Sequence, residues 1–233
     1  MPVGSGQPQV AASLMCADFS RLGDQLHELR EAAVARLHLD FADGAFVPSL
    51  LLGTEVFGLL GGHDGFKVES HLMVCDPARF AAAFAAQSDL VIVHVEATPD
   101  VPACIEQIRG AGARVGLAVS PDTKVDVLAP FLHVVDHVLI MTVQPGFAGA
   151  AFIPEMADKV RWVRGQAAEA GLRLDIEVDG GINSTTIPAL AAAGANVFVG
   201  GSTGLFVQDG IGRAAARMLA AARAHSQVTR DET

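Results

Sequence analysis

Basic residues are scarce in this chain. Its 233 residues hold 16 Lys and Arg against 26 Asp and Glu, a formal charge of −10, and Lys67, Lys124 and Lys159 are the only lysines. Nucleic-acid binding needs a basic stripe that neutralises phosphates, and this composition cannot supply one. The same shortage argues against an anionic membrane surface. Cysteine is also sparse. Cys16, Cys75 and Cys104 are an odd number without metal-type pairing, which points to a reduced cytoplasmic protein. The opening residues lack a positive start followed by an apolar run, so no signal peptide is expected. No Gly/Ser/Pro-rich linker divides the chain, so one domain is expected. The uncharged stretch 187–207 mimics a membrane span in length. Pro188, Asn196 and the Gly200-Gly201 pair interrupt it, and a buried helix followed by a buried strand fits better.

What is abundant is apolar: 51% of residues are hydrophobic and only 18% are charged. Short β-branched runs alternate with Ala-rich helical stretches. The pattern predicts strands at 9–14, 35–41, 66–72, 90–95, 114–119, 137–142, 174–178 and 196–199. It predicts helices at 20–33, 77–86, 101–112, 154–171, 184–193 and 211–224. Ser20, Asp76-Pro77 and Asn183-Ser184 have the chemistry of helix starts. Gly112, Gly171 and Gly194 have that of helix ends. Eight strands with crossovers at this length predict a single-domain (β/α)8 TIM barrel over residues 9–225, with tails at 1–8 and 226–233. A doubly wound parallel sheet is the alternative.

In such a barrel the chemistry belongs at the C-terminal ends of the strands. The second strand ends in Leu37-His38-Leu39-Asp40, and alternation puts His38 and Asp40 on one side. The third ends in Glu69-Ser70-His71 and the seventh in Glu177-Val178-Asp179. Two imidazoles and two carboxylates, His38, Asp40, His71 and Asp179, would make a nitrogen/oxygen site suited to a divalent transition metal. Each residue also has a plainer reading, as a hydrogen-bonded strand-end His or a capping Asp. His94 and Glu96 repeat the spacing on the fourth strand, so spacing alone does not decide, and they stand as reserve candidates. Glycine clusters follow the last three strands: Gly146 and Gly149 around Phe147-Ala148, then Gly180-Gly181, then Gly200-Gly201-Ser202. Successive backbone N–H groups there can cradle an anion, and Ser202-Thr203 could open a short phosphate-binding helix. A small phosphate ester thus escapes the exclusion that the acidic composition places on polyanions.

The ordered motifs carry a resemblance. Ser13-Leu14-Met15-Cys16-Ala17-Asp18-Phe19, His38-Leu39-Asp40 with Asp43-Gly44 and Phe46-Val47-Pro48, and His71-Leu72-Met73-Val74 come first. Met141-Thr142-Val143 with Pro145-Gly146-Phe147, Glu177-Val178-Asp179-Gly180-Gly181-Ile182-Asn183 and Gly201-Ser202 follow. Along nearly its whole length the chain resembles the ribulose-5-phosphate 3-epimerase family. Three stretches resemble the allulose-6-phosphate 3-epimerase branch: Ser13-Leu14-Met15-Cys16, Phe147-Ala148-Gly149 with Phe152-Ile153-Pro154-Glu155-Met156, and Ser202-Thr203-Gly204-Leu205-Phe206. The resemblance implies a ribulose-phosphate-binding type of barrel and one divalent ion, Zn, Fe, Mn or Co, on His38, Asp40, His71 and Asp179. Asp40 and Asp179 would also be the two acid–base groups that invert carbon 3 through a cis-enediolate. Ser13 and His71 would touch the ketose phosphate or orient the site. Gly146, Phe147, Ala148, Gly149, Gly180, Gly181, Gly201 and Ser202 would hold its phosphate. It also implies a homo-oligomer, dimer or hexamer.

The chain departs from the family at four positions. Ala42, Ala45 and Ser49 stand where the family has longer Met, His and Asn, and Ala150 replaces a Gln. The expectation at this point is an enlarged site with altered or broadened substrate choice, including a shorter ketose phosphate. A decarboxylase-like relative would need an Asp-x-Lys pattern, and the second strand reads Asp40-Phe41-Ala42. A Schiff-base aldolase would need a strand-end lysine, which is lacking. A non-catalytic sugar-phosphate sensor or scaffold would not need two carboxylates beside a metal. Cys75, just past His71, is expected to be a packed thiol.

Overall fold

A computed structural model describes residues 7–60, 65–146 and 150–226. Eight parallel strands close into a barrel in simple sequence order. They are β1 Gln9–Ser13, β2 Arg36–Ala42, β3 Lys67–Met73, β4 Leu90–His94, β5 Arg114–Val119, β6 His137–Met141, β7 Asp175–Asp179 and β8 Val197–Gly200. β8 pairs with β1 to close the ring, with Val199 opposite Ala11. The doubly wound alternative is thereby overturned. All eight strands fall where the hydrophobic runs predict them, within a residue or two at each end.

Alternation along the strands separates two cores. Leu37, Leu39, Phe41, Val68, Leu72, Val91 and Val93 face outward into one large cluster with the helices. Leu90, Ile92, Ala118, Leu139 and Met141 form a separate apolar cluster within the barrel. The intervening positions of β2, β3 and β7 instead bury Arg36, His38, Asp40, Glu69, His71 and Glu177. The interior therefore holds an ionisable cluster centred on β2, β3 and β7, joined by His94 and His137, beside apolar patches on β4–β6 and on β1 and β8.

The helices are α1 Leu22–Glu31, α2 Val56–Leu59, α3 Ala81–Ala85, α4 Val101–Gly110, α5 Met156–Glu169, α6 Ile187–Ala193 and α7 Ile211–Ser226. Two crossovers differ from expectation. β2 reaches β3 through the four residues of α2, and β5 reaches β6 through a 3-10 turn, Val125–Phe131, that contains Pro130. The expected helix over 77–86 divides into a 3-10 turn, Pro77–Arg79, and α3, with Phe80 between them.

Helix starts are also revised. Ser20 does not cap α1. Its amide and hydroxyl both donate to Asp18 Oδ1, and α1 begins two residues later. Asp76 makes no side-chain cap and takes a left-handed backbone, φ +51°, before Pro77. Asn183 accepts from the amides of Thr185 and Thr186 in the turn that precedes α6, and the helix itself begins at Ile187 without a side-chain cap. The segment over 187–207 is a buried helix and strand, α6 and β8, and no helix among the described residues is long and apolar enough to cross a membrane. Cys104 is buried, but Cys75 is exposed, not packed, because it lies in the loop that leaves β3.

Candidate active site

The strand pattern places four chemically competent side chains at the C-terminal mouth. β2 supplies His38 and Asp40, β3 supplies His71, and β7 supplies Asp179. One donor atom from each lies within 4.8 Å of the other three. Asp40 Oδ1 is 3.2 Å from His38 Nε2 and 3.0 Å from His71 Nδ1, and Asp179 Oδ2 is 3.9 Å from His38 Nε2. The hydroxyl of Ser13 donates to Asp40 Oδ2 at 3.0 Å. Ser13, Asp40 and Asp179 line one cavity.

The two aspartates sit in opposite electrostatic settings. Burial works against the Asp40 charge, yet the His38 and His71 rings hold its carboxyl below the usual range. Burial, and then the Asp40 charge, push Asp179 up to about 7. Burial brings His71 down to about 4. Burial also opposes charge on His38, but Asp40, Glu177 and Glu69 raise it well above the ordinary imidazole value. Carboxylates whose proton affinities diverge in one cleft are a mark of acid–base chemistry.

Beneath the mouth lies a second ionisable layer. Glu69 Oε1 is 3.0 Å from His38 Nδ1, while Arg36 donates to Glu69 Oε2 at 2.9 Å. His137 Nε2 is 2.6 Å from Glu177 Oε2, and Glu177 Oε1 lies 3.4 Å from His38 Nδ1. His38, Glu69 and Glu177 also converge within 4.8 Å. These carboxylates already have Arg36 and His137 as partners, so the mouth is the better cation site. Glu69 orients the His38 ring from the face opposite the mouth, as carboxylates behind metal-binding histidines do. The sequence pattern used for His38, His71 and Asp179 would have found this layer one step earlier on each strand, at Arg36, Glu69 and Glu177.

Glycine backbone forms the other wall. Gly146, Gly180, Gly181, Gly201 and Ser202 line the cavity. Gly180 has φ +112°, and a Cβ there would meet Val143 Cγ2 at 2.3 Å. Gly146 has φ +100°, and its Cβ would meet Val47 at 2.7 Å. Only glycine satisfies both demands. Phe147, Ala148 and Gly149 lie outside the described residues. Ser202-Thr203 opens a single turn, with the amides of Gly204, Leu205 and Phe206 all donating to the Gly201 carbonyl, rather than a separate helix.

Of the four departures from the family, Ala150 lines the cavity and Ala42 lies outside its described lining. Ala42 is buried with Val47 and Met73, against Phe46 and Leu51. Met73 and Leu51 line the cavity, so the neighbours close the wall there. The reserve pair does reach the site. His94 Nε2 is 2.9 Å from His71 Nε2, and His94 Nδ1 is 3.2 Å from Glu96 Oε2. No lysine lines the described cavity. Lys67 pairs with Asp89, and Lys159 donates to the carbonyls of Ser120, Pro121 and Thr123.

Known proteins resemble this chain along most of its length. Residues 9–206 match the model of the ribulose-phosphate 3 epimerase family. The ribulose-phosphate 3-epimerase of Mycobacterium leprae is 41% identical over 199 residues, 84% of this chain and 87% of that one. That of Synechocystis sp. is 39% identical over 196 residues, 83% of this chain and 85% of its own length. Among solved structures, a crystal structure of KGPDC from Streptococcus mutans superposes with a TM-score of 0.70 at 15% identity, covering 93% of this chain and 98% of that one. At that identity the likeness concerns the barrel fold alone.

Proposed function

This chain belongs to the ribulose-phosphate 3 epimerase family, and from that premise we propose that it is a metal-dependent isomerase that inverts carbon 3 of a ketose phosphate. The observation that carries the reading is the convergence of His38, Asp40, His71 and Asp179 beside glycine backbone at the barrel mouth. The names of the family relatives favour ribulose 5-phosphate and xylulose 5-phosphate as the pair. A second pair, allulose 6-phosphate and fructose 6-phosphate, is favoured by Met15 and Cys16. These two residues of the allulose-branch motif line the cavity itself.

The residues suit a divalent cation on their own geometry. Glu69 carries Arg36 on one oxygen and accepts from the His38 Nδ1–H on the other, which turns the His38 Nε2 toward Asp40 and Asp179. Despite burial, the neighbouring carboxylates keep His38 protonated, so a proton stands between Nε2 and Asp40 Oδ1, 3.2 Å apart, at the place where a cation would replace it. His38 through Nε2, His71 through Nδ1, Asp40 and Asp179 would hold Zn, Fe, Mn or Co. A bound ion would act there as a Lewis acid on the negative charge of the enediolate.

The protein's own groups account for the proton movements. Inversion needs a base on one face of carbon 3 and an acid on the other. Asp40 and Asp179 arrive from different strands and fill those roles. Ser13 fixes the Asp40 carboxylate by donating to Oδ2. Burial and the Asp40 charge push Asp179 up to about 7, and a cation bound beside it would bring that proton affinity down. The amides at Gly146, Gly180-Gly181 and Gly201-Ser202, with Phe147, Ala148 and Gly149 by resemblance, would anchor the phosphate. That anchoring places carbon 3 between the two acids. The reduced cysteines support a cytoplasmic enzyme, and the family resemblance supports a dimer or hexamer.

The test is turnover of ribulose 5-phosphate, allulose 6-phosphate and a shorter ketose phosphate, in deuterium oxide. Epimerisation with deuterium entering at carbon 3 is the expected result. A protein that binds the sugar phosphate but exchanges no hydrogen would be a sensor, and the reading would fall.

A further inference from the structure

One arm of the ionisable network leaves the site and has no role in the chemistry described above. It runs from His71 through His94 to Glu96 and the start of the β5 loop. His94 is fully buried at the end of β4. The Phe46 ring covers it at 4.8 Å, and Thr98 Oγ1 holds its carbonyl at 2.7 Å. Glu96 is anchored from behind, with the Ser120 amide donating to its Oε1 at 2.7 Å. Burial disfavours its charge, yet His94, Thr123 and Ser120 hold its carboxyl down to about 2. It is therefore a fixed, ionised acceptor.

The chain ends on an acceptor at each side, Glu96 at the rim and Asp40 at the mouth, and once a cation takes up the Asp40 side Glu96 is the acceptor left to set the protons along it. A carboxylate can only accept, so His94 Nδ1 carries the N–H, 3.2 Å from Glu96 Oε2. The hydroxyl of Ser120, 3.3 Å from the same nitrogen, can accept as well. In the neutral ring His94 Nε2 is then a lone pair. His71 Nε2, 2.9 Å away, must donate to it. That leaves His71 Nδ1 as a lone pair aimed at Asp40 Oδ1, 3.0 Å distant, where two acceptors face one another across the mouth. Without this relay, the two nitrogens of His71 would share the proton, and the tautomer with Nδ1–H cannot bind a cation from the mouth.

We propose that His94 and Glu96 are positioning residues that select the His71 tautomer able to ligate a cation through Nδ1. The proposal rests on the reading of His71 as a cation ligand. It differs from the role of Glu69 behind His38, because here an imidazole stands between the ligand and the carboxylate, and the carboxylate is at the rim. Its side chain is 21% exposed.

The experiment uses the full chain and Zn2+. Affinity is measured by competition with a chromophoric chelator, and ring protonation by long-range 1H–15N correlation spectra of the Zn2+-loaded protein. His94→Leu and Glu96→Ala should each weaken Zn2+ binding by about 10–100-fold, the usual loss when a partner behind a metal-binding histidine is removed. His94→Gln offers a carbonyl oxygen to the His71 Nε2 proton and should recover most of that loss, which a merely space-filling role would not require. The spectra should place the proton of His71 on Nε2 and that of His94 on Nδ1. Wild-type affinity in both His94→Leu and Glu96→Ala, or a proton on His71 Nδ1 in the loaded protein, would overturn the proposal alone. A wild-type chain that takes up no Zn2+ would overturn the cation reading and this proposal with it. Glu96→Ala changes a rim side chain, so the test stands even if His94→Leu fails to fold.

Discussion

The mouth and the floor of the barrel are built from the same residue types but differ in one respect. At the floor each buried acid has a cationic or imidazole partner supplied by the chain: Arg36 on Glu69, His137 on Glu177, and Arg36 and Arg114 near Asp175 at 3.7 and 3.6 Å. At the mouth Asp40 and Asp179 share two imidazoles and no arginine or lysine. At the floor, burial opposes ionisation of Arg36 less than its carboxylate neighbours, Glu69 first, favour it, although burial and Glu177 still raise Glu69. At the mouth, burial and then the Asp40 charge raise Asp179, and His38 only partly offsets them. A buried acid with a fixed partner is structure. A buried acid without one is the place where a cation or a proton is handled.

Asp40→Asn breaks the mouth without touching the floor, and the largest effect is expected there. Under the proposed function the variant loses an acid–base group and a cation ligand together. Turnover should fall by roughly 10²–10⁴-fold from the proton-transfer role alone, read as kcat on ribulose 5-phosphate, while the circular dichroism spectrum stays that of the folded barrel. If the variant turned over at the wild-type rate, the mouth would be only another structural layer.

Arg36→Met makes the converse change. It leaves Glu69 and Glu177 buried without the arginine. Removing one partner of a buried ion pair costs about 3–5 kcal/mol, and Arg36 Nη2 also donates to Gln9 at 3.2 Å. Urea unfolding should show that loss, while the folded fraction retains most of its kcat. A variant of normal stability with collapsed kcat would show that the floor takes part in the chemistry directly.

How far each layer was legible in the sequence follows from the same contrast. The barrel, its eight strands and the four mouth residues are local facts: a run of β-branched residues, and a His or Asp at inward positions near the end of a strand. The period of two reaches Arg36, Glu69 and Glu177 equally well. Their pairing is not local, since Arg36 and Glu69 are 33 residues apart and His137 and Glu177 are 40 apart. Strand register alone brings them together. His94 and Glu96 show the limit most clearly, because nothing in their spacing says that His94 Nε2 meets His71 Nε2. The Ala42 substitution was readable as a lost side chain, but whether Leu51 and Met73 close over it depends on loop packing. Helix starts failed for a similar reason. The Ser20 hydroxyl is taken by Asp18, two residues away, so a residue with capping chemistry is not free to cap.

The smallest expected effect is also the sharpest comparison, because it follows a single proton. The ordinary Asp value is 3.8 and folded Asp179 is raised to about 7. Between those limits the folded protein holds a proton that the unfolded chain has released. Stability therefore falls as pH rises through that window. His71 has the opposite sign, since its folded value of about 4 lies below the ordinary 6.5, so its contribution grows with pH over 4 to 6.5. The wild-type curve mixes both trends, and the difference between wild type and Asp179→Asn isolates the first. In chelator-treated protein, Asp179→Asn should gain in Tm relative to wild type as pH is raised from 4 to 7 and level off above it. Adding a divalent cation should reverse the order at pH 7, because the wild-type carboxylate then has a partner that a neutral amide cannot match. A difference that stays flat across the window would mean that folding does not raise the Asp179 carboxyl, and the contrast between the two layers would disappear.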